Sequence, residues 1–136
     1  MKSVNYYVLG QLFRLLERVE LIDGVFMGDY DPDNPSDVEA LACEFLWPSV
    51  REATQEGQMA IRNALIFYSS ANSAPIQTMK DRCQELTLPD ADSWPLFFNR
   101  ISQTMFGDND CNQFDPSEYI EIPDETASEF VLMRKI

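Results

Sequence analysis

The chain has 136 residues, 23 acidic against 10 basic side chains, no histidine and a net charge of −13. Without histidine it lacks the Ser-His-Asp and Cys-His nucleophile systems and the usual zinc and iron ligand sets, so a non-catalytic protein without cofactor or metal is expected. The charge opposes casual binding to nucleic acid and favours basic partners.

A composition 45% hydrophobic suffices for a core, and the length suits one domain over residues 1–136. No run approaches the ~18 consecutive apolar residues of a membrane span. Cys43, Cys83 and Cys111 are scattered and odd in number. They fit free thiols in a reducing compartment, which places the protein in the cytoplasm.

The first helix is expected from about Ser3 to Ile22. Leu9, Leu12, Phe13 and Leu16 recur at i, i+3, i+4 and i+7, one face of a helix. Val8, Leu15 and Ile22 form a second apolar stripe, as in a helix packed on two sides. Gln11, Arg14 and Arg18 share the polar strip. Gly10 costs about 1 kcal/mol against Ala inside a helix, which suggests a close helix–helix approach there. Asp23-Gly24 is turn chemistry.

Residues 23–35 hold four aspartates, two glycines and two prolines, which predict a long acidic loop. Ser36 reads as an N-cap with Glu39 as its capping-box partner. Val38, Leu41, Ala42 and Phe45 form an apolar face, and Pro48 must kink the helix or start a new one. Glu56-Gly57 reads as a stop, with a third helix from Gln58 to Ser70. After Pro75, the stripe Ile76, Met79, Cys83 and Leu86 predicts a fourth. Asp92 or Ser93 caps a fifth, with Pro95 in its first turn and Trp94, Phe97, Phe98, Ile101 and Met105 as its apolar side. Gly107 ends it. A last helix is expected from about Pro123, and Tyr119-Ile120-Glu121-Ile122 alternates as a short extended piece would. The sum is an all-α bundle of five to six helices.

Two acidic motifs invite a calcium reading. Asp29-x-Asp31-x-Asp33 has Asn34 and Ala40 where a calcium loop needs Gly and Glu, and Asp108-x-Asp110-x-Asn112 has Tyr119 at its last position. Both read better as solvated loops. The basic residues carry more information because they are scarce. Arg14, Arg18, Arg51, Arg62, Lys80, Arg82 and Arg100 all fall in expected helices, and if several converge in space they form a basic strip on an otherwise acidic protein.

Three segments resemble one family. Tyr7-Val8-Leu9-Gly10-Gln11-Leu12-Phe13-Arg14-Leu15-Leu16-Glu17 is similar to the opening helix of the C-terminal helical domain of the type I-C CRISPR Cascade large subunit. That domain is also made separately as the small subunit. Ile61-Arg62-Asn63 with Phe67-Tyr68-Ser69-Ser70-Ala71-Asn72-Ser73-Ala74-Pro75 resembles the family's Ile-Arg-Asp segment, aromatic pair, small-residue turn and proline. Phe114-Asp115-Pro116, Ile122-Pro123-Asp124-Glu125 and Phe130-Val131-Leu132 resemble its last helix. The chain departs at Gln11, where the family usually has a basic residue, and residues 23–56 look like an insertion.

The resemblance implies a non-catalytic subunit that bridges Cascade backbone and large subunits and stabilises DNA strands in the R-loop, beside guide RNA and target DNA. Arg14, Arg18, Arg62, Lys80, Arg82 and Arg100 would be its phosphate contacts. The charge admits a different class, a small acidic inhibitor seated in the basic nucleic-acid cleft of a single partner protein. Its working residues would be Asp108, Asp110, Asp115, Glu118, Glu121, Asp124, Glu125 and Glu129.

Overall fold

The computed structural model describes residues 2–71, 76–107 and 116–122. Helices dominate, as the apolar periodicity predicts, and the expected all-α bundle is the observed class. The element order is β1 (Lys2–Val4), α1 (Tyr7–Asp23), α2 (Pro35–Ala40), α3 (Trp47–Val50), α4 (Gln55–Ala71), α5 (Ile76–Asp81), α6 (Trp94–Phe106) and β2 (Tyr119–Glu121). The last expected helix, from Pro123, lies outside the described residues.

Helix α1 begins four residues later than its periodicity suggested. The Asn5 side chain accepts a hydrogen bond from the Tyr7 N–H at 2.8 Å, which supplies a helix N-terminus at that point. The residues before it pair instead as strand β1, parallel to β2, with Lys2 opposite Tyr119 and Val4 opposite Glu121. The alternating 119–122 stretch is thus the extended piece expected of it. Gly24 ends α1 in the left-handed region at φ 71°.

The core face of α1 is as expected. Leu9, Leu12, Phe13 and Leu16 are all buried. The second stripe is only half used. Val8 is buried, but Ile22 is 68% exposed, because no described element covers the last turn of α1 on that side.

The acidic loop follows as a short 3-10 turn, Met27–Asp29, anchored by the fully buried Met27. Its aspartates hold the loop together. Asp31 accepts from the Asp33 N–H, Asp37 from the Asp31 N–H, and Asp33 from the Asp92 N–H.

The cap of α2 is Asn34, with Pro35 in the first turn, and not Ser36. Asn34 Oδ1 accepts from Ser36 N and Asp37 N. A π-helical segment, Leu41–Leu46, then runs into α3. Pro48 supplies the physical reason. It has no N–H for the Glu44 carbonyl, and its ring crowds that carbonyl, so the helix widens ahead of it. The widening moves the buried position by one. Leu46 is 1% exposed while Phe45 is only partly buried.

Gly57 does not stop a helix. It sits buried inside α4, whose N-terminus is capped by Thr54 Oγ1 accepting from the Gly57 N–H at 3.1 Å. Helix α5 stops at Asp81, short of the expected Cys83 and Leu86, because α1 holds the chain that follows. Glu17 accepts from the Glu85 N–H at 3.0 Å, and Glu20 from the Thr87 N–H at 2.9 Å. Helix α6 is as expected, with Ser93 capping Leu96 N and Gly107 at φ 66°.

Helix α4 packs along α6, and α1 lies against α4, α5 and the π segment. Phe13, Trp94, Phe97 and Phe98 make an aromatic cluster, with Phe13 edge-on to Trp94 at 5.5 Å. These rings belong to the core, with Phe13, Phe97 and Phe98 buried and Trp94 packed against them.

Candidate nucleic-acid interface on the first helix

Helix α1 carries different chemistry on each flank. Its core face looks inward, and Glu17 and Glu20 clamp the 85–87 backbone. Between that clamp and the exposed end lies a polar strip at helical spacing: Tyr7, Gln11, Arg14 and Arg18 at i, i+4, i+7 and i+11. Arg14 and Arg18 are both exposed and have no hydrogen bond or ion pair among the described residues.

The strip is longer than α1 alone provides. The Arg82 guanidinium, just past α5, stands over the Tyr7 ring at 4.9 Å from its centroid. Burial pushes the Cys83 thiol up, Glu17 adds to that rise and Arg14 opposes it, so Arg14 lies close to the loop that carries Arg82. Three of the six expected basic residues therefore line one flank, Arg82, Arg14 and Arg18, over about 16 Å at 1.5 Å per residue.

Lys80 and Arg100 are directed elsewhere. Lys80 donates to the Leu88 carbonyl at 3.0 Å, pairs with Asp90 at 2.6 Å and stands over the Trp94 ring. Arg100 donates to the Asp33 carbonyl at 2.9 Å and so braces the acidic loop. Arg62 is half-buried on α4.

Beside Arg18 the strip meets a groove of about 220 Å³ between α1 and the start of α3, lined by Leu15, Arg18, Val19, Ile22, Asp23, Phe45 and Ser49. Sequence reasoning missed it. The one signal was that Leu15 and Ile22 formed a second stripe with nothing assigned to cover it.

Acidic chemistry collects between the second half of α1 and the end of α3. Residues 19–50 hold eight acids and no base. Burial raises the Tyr30 pKa, and the negative charges of Glu44, Asp37 and Asp29 add to the rise. Of the acids expected to serve an inhibitor, only Glu118 and Glu121 fall within the described residues. Both are exposed, and Glu121 accepts a hydrogen bond from the Tyr68 hydroxyl at 2.5 Å. No group of three or more metal-ligating side chains occurs among the described residues, and no helix there is long and apolar enough to cross a membrane.

The fold, with its strip, defines a helical protein with a basic flank on its first helix. Compared with protein-family profiles, curated proteins and solved structures, the chain finds no match.

Proposed function

We propose that the chain is a non-catalytic helical subunit of a nucleic-acid-bound assembly, of the Cascade small-subunit kind that its sequence resembles. Arg82, Arg14 and Arg18 meet the phosphate backbone. The observation that carries this reading is that Arg14 and Arg18 are exposed and unpaired among the described residues, in a chain with 23 acids and 10 bases. Two like charges one turn apart on a helix cost about 0.2–0.5 kcal/mol, and holding both exposed at that spacing suits a polyanion. The packing of α1 against α4 adds support, because those two helices carry most of the first two segments of the resemblance.

The test is Arg14→Glu with Arg18→Glu, assayed for single-strand binding by the assembly. We expect a loss of affinity and a salt slope shallower by roughly 1.4, from about 0.7 per lost phosphate contact, with unchanged far-UV circular dichroism. Unchanged affinity and slope would sink the proposal.

A second reading is favoured by the acidic 19–50 segment: the chain docks on a basic protein surface as an inhibitor. Under it, Asp29→Asn with Asp37→Asn and Glu44→Gln weakens partner capture while the arginine changes do nothing. Affinity-tagged chain from its native cell, probed for guide RNA and for basic proteins, separates the two at the outset.

A further inference from the structure

We infer that the groove beside Arg18 takes one unstacked nucleobase bearing an exocyclic amino group, from the same single strand whose phosphates lie along Arg82, Arg14 and Arg18. This rests on the backbone-binding reading above. Three observations lead to it.

Arg18 belongs to both features. It ends the strip and it lines the groove, so a strand running along the arginines arrives at the groove mouth with a base to place. The walls suit a flat aromatic ring. Leu15, Val19 and Ile22 are apolar and Phe45 adds an aromatic face, the combination on which bases stack without reading sequence. At about 220 Å³ the groove falls below the ~300 Å³ at which pockets for drug-sized ligands begin, which fits one ring system.

The polar groups narrow the choice of base. Asp23 and Ser49 are the groove's other polar lining residues. An ionised carboxylate only accepts hydrogen bonds, so Asp23 pairs with an exocyclic amino group, as acidic side chains do with cytosine N4. Cytosine, adenine and guanine offer that donor. Thymine flanks its single ring N–H with two carbonyls, which face the carboxylate unfavourably. Ile22 is 68% exposed, and a seated base would cover it.

The test uses the full chain at low ionic strength and fluorescence anisotropy with labelled strands of equal length: oligo-dC, oligo-dT and an abasic phosphodiester. We expect oligo-dC to bind about tenfold tighter than the abasic strand, within the range for one stacked base, and tighter than oligo-dT. Phe45→Leu keeps an apolar filler and removes the ring. It should erase most of the gain for oligo-dC and leave the abasic strand unchanged. Asp23→Ala should bring the oligo-dC to oligo-dT ratio to about one. Equal binding of oligo-dC and the abasic strand, still lost on Arg14→Glu, would overturn the base site and leave the backbone reading standing. Binding of no strand, or binding indifferent to Arg14→Glu, would overturn both.

Discussion

Replacing Tyr68 with Phe tests what ties the two-stranded sheet to the helices. Tyr68 is fully buried on α4, and its hydroxyl reaches the Glu121 carboxylate at 2.5 Å. The bond joins α4 to β2, and β2 in turn pairs with β1, with Ile122 N–H donating to the Val4 carbonyl at 2.8 Å. A hydrogen bond to a charged group contributes about 1.5–3 kcal/mol. Glu121 is exposed, so water replaces the lost donor and trims the cost. The ring keeps its edge contact with Phe67 at 4.9 Å. We therefore predict that Tyr68→Phe costs about 1–2 kcal/mol, a fall in Tm of about 3–8 °C for a chain of this size. Glu121→Gln keeps an acceptor without the charge and should cost roughly half as much. Urea titrations followed by tryptophan fluorescence give the double-mutant cycle, with a coupling energy of roughly 1 kcal/mol. Native-state hydrogen exchange should show the Ile122 amide losing protection before the α1 core does. A coupling energy indistinguishable from zero would refute the reasoning, as would a Tyr68→Phe protein as stable as the parent.

Three further outcomes follow from single positions. Gly10→Ala should hold or raise stability, by up to about 1 kcal/mol, because an added Cβ would stand 3.9 Å from the Met79 side chain, an ordinary contact; a destabilised protein in urea would show a closer approach than that. Asn34→Ala should cost about 1 kcal/mol and Ser36→Ala under about 0.5 kcal/mol, and the reverse order in thermal melts would restore Ser36 as the cap. Burial, followed by the Glu121 carboxylate, raises the Tyr68 pKa well above the ordinary phenol. The fold thus favours the neutral form, so this stability is present below about pH 10 and is lost as pH climbs from there toward the folded pKa. Tyr68→Phe should flatten the alkaline limb of a stability–pH curve, and an unchanged limb would contradict the assignment.

The elements legible in the sequence were those specified by nearby residues. Helix α6 has its cap at Ser93, its apolar stripe and its terminal Gly107 within one short window, and all three are where periodicity and turn chemistry put them. The elements missed were set from a distance. Strand β1 depends on β2, more than a hundred residues away, and nothing local marks Lys2–Val4 as extended. The end of α5 depends on carboxylates of α1 that take up the backbone N–H groups of the following loop. The candidate site shows the same division. Arg14 and Arg18 were legible as one face of α1. The third member, Arg82, joins through a ring contact with Tyr7 that no spacing rule reports. Lys80 and Arg100 were indistinguishable from it in sequence and turned out to brace loops.

The π segment offers the sharpest test of such distant control, because it changes which of two adjacent residues is core. In an α-helical register Val38, Leu41, Ala42 and Phe45 share a face. With the helix widened ahead of Pro48, Leu46 instead joins Leu9, Leu12, Phe13, Leu16, Phe97, Phe98 and Ile101 around a void of only about 10 Å³. Phe45 turns toward the groove and meets Tyr30 edge-on at 5.8 Å. Leu46→Ala thus opens a cavity in apolar core that has little room to collapse, and should cost about 2–5 kcal/mol. Phe45 is the larger side chain, yet it is already partly in water, and Phe45→Ala should cost roughly half as much despite removing more atoms. Chemical denaturation of the two variants decides the register. A greater loss from Phe45→Ala than from Leu46→Ala would mean that the chain holds the α register, with Phe45 in the core and no aromatic wall left for the groove.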